Sequence, residues 1–511
     1  MLSKKIILHP FLFAIAPTLS LYEHNKDMVD FYYLLKPLTV SLLGGIIIFL
    51  ISRKLIKNKN KAHLIASLFI LLFFIFDYLF EIFLFWGYLI TLLSWLVIFI
   101  AVTSLIISSQ KKFDNLNNYF DLLALILVLW PIVSVAYYEY ESRTFYQTLP
   151  EVNYDQNLDL SWQEPTVKPD IYYIIFDGYA RQDILQSRYG YDNSDFINFL
   201  EDKGFYVADQ SRSNYVQTYF SLASSLNFEY VNQATEQFQN SNNRGPIRRM
   251  LRDNKVYDFL KNNNYTFVAL PATWTGTYRN TKADIFMRLD GSANNNSINA
   301  NEFNTFLIDM TPLKFILTRN NRFELLKETT LFLFDHMKDI AEIKEPTFIY
   351  AHFITQHPPF IFDETGFVAP DNDCGGDGSH YYKDCPGVEE YREKYIKQLK
   401  FTNEKIKVMI EEILAKSETA PIIILQADHG SGSGLDWSSL ENTDFVERRS
   451  IFNAYYVPTT TREQLYPTIT PVNSFRVIFN SVFKTNLKIL EDRTYFAIWP
   501  QPYNYIDITD W

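Results

Sequence analysis

"PIIILQADHG", residues 421–430, decides how the globular part of the chain is read. Its short apolar run reads as a buried strand, and it stops abruptly at Asp428, His429 and Gly430. Three more segments read as buried strands: "DIYYIIF" (170–176), "YTFVAL" (265–270) and "TFIYAHFI" (347–354). Between them, "NSDFINFLEDKG" (193–204), "VYDFLKNNN" (256–264) and "EYREKYIKQLKFTNEKIKVMIEEILAKS" (390–417) carry helical patterns. Alternation of this kind predicts an α/β fold with a mainly parallel sheet between helices.

The region before that domain has a different composition. The chain has 511 residues, of which 48% are hydrophobic and 17% aromatic, and the excess lies between Ile6 and Tyr138. A membrane crossing needs about 20 apolar residues. Residues 34–52, 62–80, 87–108 and 119–138 meet that need, and 6–22 is a shorter stretch with two prolines. Lys4 and Lys5, "RKLIKNKNK" (53–61), and Lys111 with Lys112 fall in alternate connections. With those loops cytoplasmic, about five helices leave everything after residue 138 outside. The expected organisation is a transmembrane domain (1–138), a linker (139–168) and an extracytoplasmic domain (169–511). That makes the chain a multi-pass membrane protein, with everything after residue 138 in the periplasm or at the cell exterior. Asp77 and Glu81 are expected near the outer water interface, since a turn falls close to residue 85.

A net charge of -11 and the lack of a basic stripe argue against a nucleic-acid partner. Cys374 and Cys385, in "CGGDGSHYYKDC", suit a disulfide outside the cytoplasm, with two free thiols as the alternative. The Asn-rich "ANNNSINANEFN" (293–304) reads as an exposed insertion.

Open α/β sheets bind ligands beyond the carboxyl ends of their strands. Asp177 ends the first strand, His357 follows the third in "TQHPPF", and Asp428 with His429 ends the fourth. Asp428 and His429 supply one hard oxygen and one nitrogen ligand, and Gly430 is expected to let the backbone turn tightly and leave room at a metal. In "SNYVQTYFSLASSLN" (213–227), Thr218 falls at or near a helix N-terminus, where unpaired N–H groups favour an anion. A threonine hydroxyl is a poor nucleophile unless a cation lowers its pKa. Asp177, Asp428 and His429 holding a divalent cation beside Thr218 would do so, with His357 binding a substrate oxygen or protonating the leaving group.

At these residues the chain resembles the alkaline phosphatase superfamily, in its membrane-anchored sulfatase-like branch, similar to lipoteichoic acid synthase and the phosphoethanolamine transferases. The resemblance rests on "DIYYIIFDGYAR", "NYVQTYFSLASSLN", "HFITQHPPFIFD" and "QADHG", with support from "NAYYVP" (453–458) and "PVNSFRVIFN" (471–480). It implies that Asp177, Thr218, Asp428 and His429 bind the metal, that Thr218 is the nucleophile and that His357 contacts substrate. No cysteine or serine sits in the C/S-x-P-x-R motif of true sulfatases. His352, His357 and His380 do not complete a second Asp-x-x-x-His set, so one metal is expected. Manganese is the first choice, with Mg2+, Zn2+ and Ca2+ also compatible.

The expected function is transfer or hydrolysis of phospho-groups on a lipid-linked or glycan substrate of the cell envelope. The alternatives are a sulfuric-ester or phosphonate hydrolase and, from another class, a non-catalytic envelope scaffold.

Overall fold

In a computed structural model of the chain, the described residues are 7–26, 29, 31–82, 87–148, 162–274, 276–277, 280, 282–287, 289, 302–317, 321–368 and 387–511. Cys374, Cys385, His380 and most of the Asn-rich insertion lie outside them. The chain forms two compact units, residues 1–148 with 298–324, and residues 149–297 with 325–511.

The first unit contains α1 (His9–His24), α2 (Tyr32–Leu55), α3 (Lys59–Phe74), α4 (Phe76–Ile82), α5 (Gly87–Ser108) and α6 (Asp114–Thr148). Three stretches, Tyr32–Leu55, Gly87–Ser108 and Asp114–Tyr140, are long and apolar enough to cross a membrane. They expose large apolar side chains such as Ile47, Val97, Leu122 and Val133, an arrangement suited to lipid rather than water. The protein is a membrane protein. α1 has 16 residues, and at about 1.5 Å per residue it falls short of a hydrocarbon core about 30 Å thick. α3 is equally long and continues into α4 after a break at Ile75.

Two features differ from the sequence reading. α6 runs on to Thr148, so the first ten residues assigned to the linker are helical. Nothing in 139–148 breaks a helix, and the first proline after it is Pro150, which disfavours helical backbone in the residue before it. Part of the chain after residue 169 also belongs with the membrane helices. Short helices at Glu302–Asp309 and Lys314–Leu317 pack there, with the Phe303 ring 6.2 Å from that of Tyr22 and the Lys314 ammonium 2.8 Å from Asp77. Such contacts join residues more than two hundred positions apart, beyond the reach of local periodicity.

The second unit is built on a seven-stranded sheet. Its strands are β1 (Ile171–Phe176), β2 (Tyr206–Val207), β3 (Thr266–Ala269), β4 (Ile285–Phe286), β5 (Thr347–Phe353), β6 (Ile422–Gln426) and β7 (Asn453–Tyr456), in the order β2-β7-β6-β1-β5-β3-β4. β6, β1, β5, β3 and β4 run parallel, and β7 and β2 add an antiparallel edge. The central strands are buried on both faces, which explains their nearly unbroken apolar runs.

Strand alternation separates the two faces. Tyr172, Ile174 and Phe176 join Ile349, Ala351, Ile423 and Leu425 in one core, which a helix at Val388–Lys416 covers with Ile406, Met409, Ile410 and Ile413. Each such buried side chain contributes about 1.5–3 kcal/mol. Tyr173 points the other way. Its hydroxyl reaches Ser225 at 2.6 Å on a helix formed by Thr218–Asn227, and its ring packs on Phe475 of the Pro471–Val482 helix. Register pairs Ile175 with both His352 and Gln426, so the carboxyl ends of β1, β5 and β6 finish together.

Candidate functional site

Asp177 follows β1 directly. Its N–H donates to the Phe353 carbonyl at 2.9 Å, which continues the β1–β5 ladder by one residue. Gly178 then takes a positive φ of 69°, and its N–H donates to Asp428 Oδ1 at 3.2 Å. The Tyr395 hydroxyl pins the turn by donating to the Gly178 carbonyl and accepting from the Ala180 N–H, both at 2.9 Å.

Asp428 and His429 leave β6 in the same direction. The His429 Nδ1 lies 3.0 Å from the Gly430 carbonyl, an acceptor, which assigns the ring proton to Nδ1 and leaves Nε2 a lone pair. That lone pair lies 3.2 Å from Asp428 Oδ2, 3.6 Å from Asp177 Oδ1 and 3.2 Å from Thr218 Oγ1. The Thr218 hydroxyl can donate to it, but the two carboxylate oxygens cannot, so there acceptors face an acceptor. Asp177 Oδ1 and Asp428 Oδ2 are buried and have no hydrogen-bond partner among the described residues. Two carboxylates desolvated in this way need a positive charge between them, so the donor set fits a bound cation.

Thr218 is the first residue of its helix, and Gln217 before it is extended. The Gln217 side chain donates to the Ala497 carbonyl at 2.9 Å, and Ser221 donates to the Asp428 carbonyl at 2.6 Å. The helix start is thus tied to the ligand loop itself. Thr218 is only partly buried, unlike Gln217 before it and Tyr219 after it.

Electrostatics follow from this packing. Burial alone would push the Asp177 carboxyl up, but His352, His429 and His357 together hold it well below the usual carboxylate range. Burial and the neighbouring Arg448 charge pull His429 down, against the attraction of Asp428 and Asp177. A neutral imidazole and an ionised carboxylate are the forms that ligate metals.

Four residues singled out in the sequence, Asp177, Thr218, Asp428 and His429, therefore meet at one end of the sheet. His357 lies on the loop after β5, half-buried, with Nδ1 2.6 Å from the Pro358 carbonyl. No hydrogen bond joins it to the other four among the described residues, although its charge acts on Asp177.

His352, which the sequence motifs do not mark as a ligand, stands inside the cluster. It is buried, its Nε2 lies 3.5 Å from Asp177 Oδ2, and its Nδ1 is 2.8 Å from Thr277 Oγ1. Asp177, His352 and Asp428 offer ligand atoms within 4.8 Å of one another. The available signal is strand periodicity: His352 is the register partner of Ile175, two residues before Asp177.

Arg448 carries no sequence mark either. Buried in the protein, its guanidinium donates to the Val216 carbonyl at 3.1 and 3.0 Å and to the Gly430 carbonyl at 3.0 Å. It braces the segment leading to Thr218 against the loop carrying His429. Gly430 is small for a different reason from the one expected. An added Cβ would lie 2.1 Å from the Glu447 carbonyl oxygen and 2.8 Å from that of Ser450, so the close neighbour is backbone.

The family model described as Sulfatase matches residues 169–475. The chain belongs to the sulfatase family. No curated protein matches this sulfatase-family chain by sequence. Among solved structures, it is similar to the C-terminal periplasmic domain of EcEptC from Escherichia coli, at 12% identity and a TM-score of 0.43, over 69% of this chain and 95% of that one. The integral membrane protein lipooligosaccharide phosphoethanolamine transferase A from Neisseria meningitidis matches at 11% identity and a TM-score of 0.40, over 77% of this chain and 75% of that one. The C-terminal periplasmic domain of phosphoethanolamine transferase EptC from Campylobacter jejuni matches at 11% and 0.36, over 61% and 89%. These likenesses are distant.

Proposed function

We propose that this sulfatase-family enzyme transfers or hydrolyses phospho-ester groups of the cell envelope through Thr218, with one divalent metal ion held by Asp177, Asp428, His429 and Thr218. The observation that carries the reading is the convergence of Thr218 Oγ1 and two unpartnered buried carboxylate oxygens on the unprotonated Nε2 of His429. His352 flanks Asp177 as a further nitrogen donor.

A divalent cation at this position supplies a lowered hydroxyl pKa at Thr218 and charge neutralisation for a phosphoryl group. The chain's own residues do the rest. The Thr218 hydroxyl gives up its proton to solvent water, and its oxygen bonds to phosphorus as the bond to the leaving oxygen breaks. His357 donates a proton to that leaving oxygen, from the ring nitrogen not held by the Pro358 carbonyl. The positive end of the helix dipole at Thr218 favours the phosphate charge. Water or a second hydroxyl then attacks phosphorus, passing its proton to the His357 nitrogen left bare; the bond to the Thr218 oxygen breaks, and that oxygen regains a proton from solvent.

Manganese is the first candidate, and the substrate class proposed is a lipid-linked or glycan phosphodiester. The membrane helices support a multi-pass anchor in a bacterial plasma membrane with the catalytic unit outside. Sulfate-ester hydrolysis is the second reading, suggested by the family itself and opposed by threonine at the nucleophile position, where no formylglycine can form. Purified full-length chain should release nitrophenol from bis-nitrophenyl phosphate when Mn2+ is present and much less from nitrophenyl sulfate. Full phosphodiester activity in Thr218→Ala would remove the nucleophile assignment.

A further inference from the structure

Residues 302–317 lie within the span matched to the family, yet they pack with the membrane helices rather than with the sheet. Three separate contacts fix them there. Phe303 is buried in one cluster with Tyr22 of α1, Leu34 of α2, and Val128 and Val135 of α6. The Lys314 ammonium sits 2.8 Å from Asp77 and 5.7 Å from the Phe80 ring centre, both on α4. The Tyr88 hydroxyl at the start of α5 donates to the Pro312 carbonyl at 3.3 Å. Placing the basic loops in the cytoplasm puts Tyr22, Asp77, Phe80 and Tyr88 at the outer ends of their helices. One short segment thus bridges the outer ends of α1, α4 and α5.

The same segment leaves large apolar groups uncovered. Phe306, Leu313, Ile316 and Leu317 are exposed, Ile316 to 74%. Water would not favour such a set; the helices the segment packs on, α2, α5 and α6, expose apolar flanks of their own, and the same lipid serves both.

We propose that residues 302–317 form an interfacial element that inserts Phe306, Leu313, Ile316 and Leu317 into the headgroup–acyl boundary of the outer leaflet, pinned by the Lys314–Asp77 pair. The occupant is lipid, and the inference rests on the extracytoplasmic placement of the catalytic unit. The pair also gives Asp77 a role: a carboxylate near the hydrocarbon edge gains a partner from the far side of the sequence.

The test uses the full chain in phosphatidylethanolamine/phosphatidylglycerol vesicles, with and without brominated acyl chains. In Ile316→Trp, the emission added over the parent should lose about half its intensity or more in brominated vesicles and resist aqueous iodide. Asp195→Trp, at a water-facing position with its side chain 93% exposed, should behave the opposite way. Iodide quenching without bromolipid quenching at position 316 would overturn the proposal. Should Ile316→Trp fail to reconstitute, Leu313→Trp gives the same reading. Lys314→Ala should reduce the bromolipid effect, and Asp77→Lys with Lys314→Asp should restore it; an unchanged signal in Lys314→Ala would overturn the pinning. The optical readout needs no turnover, so its failure and that of the Thr218 assignment are told apart by the activity of Thr218→Ala.

Discussion

Gly430→Ala isolates the geometric demand on the loop that carries Asp428 and His429, because the substitution adds one methyl group and changes no charge. The new Cβ would stand 2.1 Å from the Glu447 carbonyl oxygen, 2.8 Å from that of Ser450 and 3.0 Å from that of Arg448. A carbon–oxygen contact normally needs about 3.3 Å, so the loop and the 447–450 backbone must separate by about 1 Å. Neither side is a flexible side chain. Gly430 N–H donates to the Arg448 carbonyl at 2.7 Å, and Arg448 in turn holds the Gly430 carbonyl, so the separation strains both bonds. Overpacking of this kind costs about 1–3 kcal/mol, a fall of several degrees in melting temperature. His429 is the adjacent residue, and a misplacement of about 1 Å at a reacting group costs about a hundredfold in rate. Phosphodiester turnover, calorimetric Mn2+ titration and thermal melting of the purified full chain check all three effects. Parental melting temperature, metal affinity and turnover in Gly430→Ala would refute the reasoning.

The other predictions concern groups around the same centre. Arg448→Met should strand the Val216 carbonyl inside the protein and remove one of the two donors to the Gly430 carbonyl, at a cost of about 1–3 kcal/mol measured by denaturant unfolding, and should lower kcat more than it raises KM. His352→Ala should weaken Mn2+ binding by about 10–100-fold in calorimetry, because the group oriented against Asp177 is lost. His429 is depressed from the ordinary histidine value of 6.5, so metal affinity should stay level as pH falls to 6.5 and decline only below it. The sign for stability is the same: the folded metal-free chain binds fewer protons at His429 than the unfolded chain, so that contribution is present above pH 6.5 and lost as pH falls through the lowered value. Melting curves of chelated protein across about pH 5–8 check this; a rise in stability toward the acid end would contradict it.

The parallel sheet was legible because its central strands are buried on both faces and read as nearly continuous apolar runs ending in polar residues. β2 and β4 carry no such signal, because each is only two residues long. Asp177, Thr218, Asp428 and His429 stood out because each sits at an element boundary, where a local motif marks it. His352 and Arg448 carry no such mark. The first lies within a strand, and its closeness to Asp177 depends on the β1–β5 register, a pairing of residues 177 positions apart. Arg448 lies in a five-residue helix, Phe445–Arg449, and matters only through carbonyls that the sequence does not place beside it. The docking of 302–317 on the membrane helices was hidden for the same reason.

The central claim is that Thr218 becomes covalently bonded to phosphorus. The most direct measurement is mass spectrometry of the full chain quenched in acid during turnover of a phosphodiester, followed by peptide mapping of residues 213–227. A phospho-adduct is expected on Thr218, absent from Thr218→Ala and from chelated protein. An adduct on another residue, or turnover of the same substrate by Thr218→Ala at the parental rate, would contradict it.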